Sequence, residues 1–256
     1  MIEQIESTIR ELETERDITV LFACESGSRA WGFTSPDSDF DLRFIYAHRK
    51  DWHLKLQKKD DYIDLMLPND LDLSGWELAK TLRLFATCNL ALNEWLDSPV
   101  VYWEPNSFRN ELLSLVPTYF NPKKAMHHYL SMAKGVAADH FDGSQIKIKK
   151  LFYILRPLFA CLWIEKRLSM PPTVFQDMLD NKLAPQTILE AIAKIQIQKE
   201  SAAEGFVIEA PDTVKNWINQ TIDKTQVVAD SLPAGTKEKP SWDPLNELML
   251  KWTPTS

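Results

Sequence analysis

The sequence predicts an α+β protein: an N-terminal core of mixed sheet with helices, then a mostly helical C-terminal domain. Three observations carry this. Short apolar runs rich in β-branched and aromatic residues, Ile18 to Cys24 above all, are confined to the first part of the chain. Beyond it, apolar residues recur at helical three- and four-residue steps with almost no strand-like alternation. Between the two lies a stretch broken by Pro99 and Pro105, where the composition shifts.

Taken in order, Ile2, Ile5, Ile9 and Leu12 form an apolar stripe over residues 2–16, an amphipathic helix that packs on the first strand. Ile18-Thr19-Val20-Leu21-Phe22-Ala23-Cys24 is that strand, buried. After it comes Glu25-Ser26-Gly27-Ser28-Arg29-Ala30-Trp31-Gly32-Phe33, a turn of small residues with a short helix starting near Arg29. Asp37-Ser38-Asp39-Phe40-Asp41-Leu42 then leads into a second strand. Tyr62-Ile63-Asp64-Leu65-Met66-Leu67 and Leu71-Asp72-Leu73 alternate as two further strands joined by the turn Pro68-Asn69-Asp70. From Trp76 the pattern turns helical through Leu78, Leu82 and Phe85, and Val100 to Trp103 reads as a short strand or extended link. The expected division is a catalytic unit over 1–105, a helical domain over 106–233 and an extended tail over 234–256. In the helical domain, one helix follows the cap Asn121 from Pro122 to Phe141, and a second runs from Ser144 to Leu168 with Pro157 inside it. Shorter helices are expected at 173–181, 185–199 and 211–231.

At 256 residues, 45% hydrophobic and 25% charged, the chain is ample for a full core. Its net charge of −7 argues against broad, non-specific nucleic-acid binding while leaving room for a local basic groove. Cys24, Cys88 and Cys161 lie far apart in apolar surroundings without C-x-x-C spacing, as buried free thiols of a reducing compartment do. The start Met1-Ile2-Glu3-Gln4 is acidic and amphipathic, unlike a signal peptide, and no apolar run approaches a membrane span. The expectation is a cytoplasmic protein without membrane contact.

The chemistry concentrates in the first turn and second strand. Gly27 and Ser28 carry little side chain, so backbone N–H groups there can approach a ligand closely, and a helix start at Arg29 favours phosphate. Asp39 and Asp41 stand two apart on a strand and share a face, with Phe40, Leu42 and Phe44 on the other. Two acids on one face repel unless a cation sits between them, and magnesium is the usual one. Arg43, two residues beyond Asp41, is an alternative partner for the acids. In the second half Lys149, Tyr153 and Arg156 share one helical face with Lys150 beside it, a cationic surface of the kind a triphosphate requires. His48 and His53, in a polar connection, read as solvated. No Gly-Lys-Ser/Thr element occurs and there are only 7 glycines, which argues against a P-loop or kinase-like fold.

Gly27-Ser28 followed by Asp39-Phe40-Asp41 resembles the signature of the polymerase-beta-like nucleotidyltransferase superfamily. The longer string through Asp41-Leu42-Arg43-Phe44-Ile45-Tyr46 is similar to a prokaryotic branch of predicted nucleotidyltransferases linked to RNA repair. So are Leu71 to Lys80, Asn93 to Tyr102 and Lys149 to Pro157. The resemblance implies a third carboxylate on a neighbouring strand, Asp72 by preference and Asp64 as the alternative. It implies two Mg2+ ions held by Asp39, Asp41 and that third acid, and a nucleoside triphosphate bound at Gly27, Ser28, Arg29, Lys150 and Arg156. It further implies transfer of a nucleoside monophosphate to a hydroxyl, with an RNA end as the leading acceptor. Nucleotidylation of a protein or small molecule, which suits the acidic surface, and a nucleotide-binding module without chemistry are the alternatives.

Overall fold

A computed structural model describes residues 2–35, 38–57, 59–67, 71–141, 145–200, 205–233 and 240–255. Asp37, the expected Pro68-Asn69-Asp70 turn, Ser144 and the start of the tail lie outside these residues. The chain divides into two compact units, one of Met1–Ala30, Asp39–Tyr119 and Lys239–Ser256, the other of Trp31–Ser38 and Phe120–Glu238.

In the first unit the apolar stripe forms helix α1 (Ile2–Arg16), which buries Ile5, Ile9 and Leu12. Asp17, in the left-handed region at φ 51°, ends it and turns the chain into β1 (Ile18–Glu25). The five-residue helix α2 (Gly27–Trp31) follows, then β2 (Phe40–His48) and one turn of helix, α3 (Lys50–His53). Strands β3 (Tyr62–Leu67) and β4 (Leu71–Glu77) come next. Glu77 caps α4 (Leu78–Ala86) by accepting from the Ala79 N–H, and Asn89 caps α5 (Leu90–Leu96) by accepting from the Leu92 N–H. Then follow β5 (Val101–Trp103) and α6 (Phe108–Tyr119).

In the second unit Asn121 caps α7 (Pro122–His140) as expected, its side chain accepting from Lys124 N. The helix expected to begin at Ser144 starts later. Strand β6 (Gln145–Lys147) precedes α8 (Ile148–Arg167), whose buried stripe includes Leu151, Ile154, Leu155, Leu158 and Pro157. Short helix α9 (Phe175–Asp180), α10 (Gln186–Glu200), β7 (Val207–Glu209) and α11 (Asp212–Ser231) complete it. β6 pairs antiparallel with β7, a ladder of three residues on each side and too short to leave a period in the sequence.

Where an extended tail was expected, Asp243–Trp252 forms helix α12 and buries Leu245 and Leu248 in the first unit. Its apolar face offsets the ordering cost that the flanking prolines and charges suggested would go unmet. Among the described residues no helix is long and apolar enough to cross a membrane.

The first unit is built on a five-stranded mixed sheet in the order β3-β4-β2-β1-β5. β2 runs antiparallel to β1 and parallel to β4. One sheet face packs on α1 through Val20, Ala23, Leu42, Phe44, Tyr46, Leu71 and Leu73. The other packs on α4, α5, α6 and α12 through Leu21, Phe22, Cys24, Ile45 and Ala47. A bulge between Val20 and Phe22 lets Leu21 and Phe22 share that face, which strict alternation forbids. Gly75 faces Phe44 across β2 and β4, and a Cβ there would lie 2.3 Å from the ring. All three cysteines are buried and outside any disulfide, and burial pushes the Cys24 and Cys161 thiols far up.

Candidate active site

The face of β2 that buries Ile45 and Ala47 carries Arg43 and Asp41 further toward its start, beyond the covering helices. One face is therefore core at one end and polar at the other. The parallel register sets Asp41 directly beside Asp72 and Arg43 beside Ser74. β3 continues these rows, with Met66 beside Asp72 and Asp64 beside Ser74. Asp72 thus shares a row with Asp41, whereas Asp64 shares the row of Arg43, is exposed, and accepts a hydrogen bond from Ser74 Oγ at 2.5 Å.

Arg43 ties the acids together. Its Nη2 donates to Asp41 Oδ1 at 2.9 Å and to Asp72 Oδ2 at 2.8 Å, and its Nη1 donates to the backbone oxygens of Leu42 and Asp72.

The turn after β1 is held against the same carboxylate. Ser26 N donates to Asp41 O at 2.9 Å, and Gly27 follows at φ +60°, where a side chain is strained. A Cβ on Gly27 would stand 2.1 Å from Asp41 Oδ2. Glycine is required here by both conformation and space. Ser28 is buried at the start of α2, whose five residues contribute little dipole. Arg29 Nε donates to Asp39 O at 2.9 Å, and its guanidinium lies 3.8 Å from the Phe40 ring centroid. Asp39 itself is exposed, one residue before β2.

One residue of this site escaped sequence reasoning. Glu25, fully buried, accepts from Asp41 N at 2.7 Å and Ser26 N at 3.3 Å with Oε1, and from the Tyr102 hydroxyl at 2.5 Å with Oε2. Its own backbone oxygen takes the buried Ser98 hydroxyl at 2.7 Å. A single carboxylate therefore clamps the turn to the acid-bearing strand. Burial pushes its pKa up, against the opposing pull of Tyr102 and the backbone N–H groups. The signal for it was an acid closing an apolar strand, which alone reads only as a strand end.

Lys150 and Arg156 belong to the second unit. Arg156 is buried, donates through Nε and Nη2 to Thr173 O at 3.3 and 3.1 Å, and lies 4.4 Å over the Trp31 ring. Lys150 is half-exposed, with Nζ 6.0 Å from the Tyr153 ring centroid. His48 is not simply solvated: it stacks on Trp52 at 4.3 Å, and burial, then His53 and Lys59, lower its pKa to about 4.

Among the described residues no group of three His, Cys, Asp or Glu side chains is arranged to hold a metal ion. The donor chemistry nevertheless fits a magnesium ion. Asp39, Asp41 and Asp72 offer hard oxygen ligands, and Asp41 Oδ2 is packed so closely on Gly27 that a Cβ there would lie 2.1 Å from it.

The family described as RlaP, RNA repair pathway DNA polymerase beta family, matches residues 1–251. A protein of Bacillus subtilis (strain 168) named uncharacterized protein YcgL is 38% identical over 251 residues, 98% of this chain and 95% of that one. Among solved structures, a nucleotidyltransferase-like protein from Exiguobacterium sibiricum 255-15 aligns over 96% of this chain and 80% of its own. The alignment has 12% identity and a TM-score of 0.34.

Proposed function

The chain belongs to the RNA repair pathway DNA polymerase beta family, and on that premise we propose that it is a metal-dependent nucleotidyltransferase. It moves a nucleoside monophosphate from a nucleoside triphosphate to a hydroxyl acceptor, an RNA end. The observation that carries this reading is the juxtaposition of Asp41 with Asp72 on adjacent parallel strands, with Gly27 pressed against the Asp41 carboxylate.

Asp39, Asp41 and Asp72 would hold two magnesium ions, which when bound neutralise the triphosphate and polarise its α-phosphate. The chain's own residues do the rest. Gly27 leaves the backbone of the turn open to the β- and γ-phosphates, with Ser28 adding a hydroxyl and Arg29 positive charge. Glu25 fixes the distance between that turn and Asp41 through its bonds to both N–H groups. Asp72 is the proposed acceptor of the proton lost by the attacking hydroxyl. Lys150 is the second unit's proposed phosphate cation. The two bonds from Arg156 to Thr173 O support a bracing role under Trp31 beside the phosphate role the sequence suggested.

The test is calorimetric titration of each ribonucleoside triphosphate, with and without Mg2+, into the wild type and Asp39→Asn. Incubation with α-labelled triphosphate and an RNA bearing a free 3′ hydroxyl follows. Metal-dependent binding lost in the variant, and label on the RNA, are the expected results; absence of binding under every condition refutes the reading. The net charge of −7 favours a second acceptor class, a protein or small molecule, and label found there instead of on RNA would select it.

A further inference from the structure

Arg43 stands where a cation bridging Asp41 and Asp72 would stand. Two carboxylates side by side on adjacent strands repel each other, and here one guanidinium nitrogen is shared between them. The arrangement of its bonds is uneven. Nη1 is anchored on backbone, at 3.2 Å from Leu42 O and 3.1 Å from Asp72 O, whereas both bonds of Nη2 go to carboxylates. The carboxylate half of the guanidinium can therefore exchange while the backbone half keeps the side chain in place. The side chains of Arg43, Asp41 and Asp72 are 17%, 29% and 34% exposed, so ions in solution reach them.

We propose that Arg43 is an exchangeable counterion of the metal site: it neutralises the Asp41–Asp72 pair when no divalent cation is bound and competes with that cation for Asp41 Oδ1 and Asp72 Oδ2. This rests on the reading of Asp41 and Asp72 as metal ligands. The competition sets the metal affinity, because each entering ion must displace bonds already made. It also keeps the acids at a fixed spacing before the ion arrives.

Mn2+ alone is the probe, with free ion followed by its electron paramagnetic resonance signal. Wild type, Arg43→Gln, Arg43→Lys and Asp41→Asn are titrated in parallel. Removing the competitor should tighten Mn2+ binding by up to about fivefold in Arg43→Gln, the scale of a partly exposed charged pair. Arg43→Lys, keeping the charge but unable to span both acids, should fall between. Excess Mn2+ should raise the melting temperature of Arg43→Gln more than that of wild type. Equal or weaker binding in Arg43→Gln, with wild-type binding lost in Asp41→Asn, overturns the competition and leaves the metal reading intact. No Asp41-dependent binding in any protein removes the metal reading and the inference with it. Should the variants fail to fold, nitrogen NMR of the Arg43 guanidinium in wild type decides. Saturating Mg2+ should release its hindered rotation, and a guanidinium still locked overturns the proposal.

Discussion

Gly27→Ala tests the seat of the Asp41 carboxylate. The new Cβ would lie 2.1 Å from Asp41 Oδ2 and 3.1 Å from Asp41 Cγ, at a backbone φ of +60°. The conformational part, an L side chain in the left-handed region, costs about 1–2 kcal/mol. The steric part requires the carboxylate to swing away, which breaks its bond to Arg43 Nη2; for a partly exposed pair this adds up to ~1 kcal/mol. The sum is roughly 1–3 kcal/mol. In an Asp41→Ala background the nearest remaining atom is Asp41 Cβ at 3.7 Å, an ordinary contact, so only the conformational part survives. Urea unfolding followed by tryptophan fluorescence on the four corners of this cycle should give a coupling of about 1 kcal/mol. An equal cost of Gly27→Ala in both backgrounds would refute the claim that the glycine makes room for the carboxylate.

The remaining expectations concern the same unit. Tyr102→Phe removes the donor to Glu25 Oε2 and leaves a buried acceptor unmet, which should cost about 1–3 kcal/mol in urea unfolding; no change would show that water replaces the hydroxyl. Asp72→Asn should abolish Asp41-dependent Mn2+ binding while Asp64→Asn retains it, because only Asp72 shares the row of Asp41; the reverse result would make Asp64 the ligand. His48, lowered by burial to about 4, takes up its proton more readily unfolded, so its contribution to stability is present above about 6.5 and is lost as pH falls toward 4. His48→Gln should therefore flatten the fall in melting temperature between pH 6.5 and 4, and an unchanged slope would mean the imidazole titrates normally.

The elements with a sustained period were legible. α1 announced itself through Ile5, Ile9 and Leu12, and α7 through its Asn121 cap and following proline. The turn at Gly27 and Asp41 on β2 were legible as residue types with a chemical reason to be near each other, whereas Asp39, expected on the same strand face, stands one residue before the strand. Which of Asp72 and Asp64 stands beside Asp41 was not legible, because it depends on β2 lying parallel to β4, a pairing of strands that are not consecutive. Nor was the burial of Arg156: a charged residue on a helix reads as solvated or ligand-binding until Thr173 and Trp31 supply its partners. Glu25 was hidden for the same reason, its acceptors being filled by Tyr102 and Asp41 from distant strands. α12 was missed because two buried leucines in a short segment leave almost no pattern.

Helix α12 has a consequence for how the protein comes into being. It lays Leu245 and Leu248 against a core made by residues before 120, with Tyr119 donating to Ser241 O across 122 positions and Lys251 reaching Glu111 across 140. All of the second unit except Trp31–Ser38 is synthesised in between. At ribosomal speeds of ~5–20 residues per second, the sheet and its helices wait on the order of ten seconds for their final layer. Through that interval the apolar surface of α4 and α6 destined for Leu245 and Leu248 stays bare. A nascent chain stalled before α12 would present it to chaperones, and the acid-bearing unit would reach its final packing only after the helical one had been made.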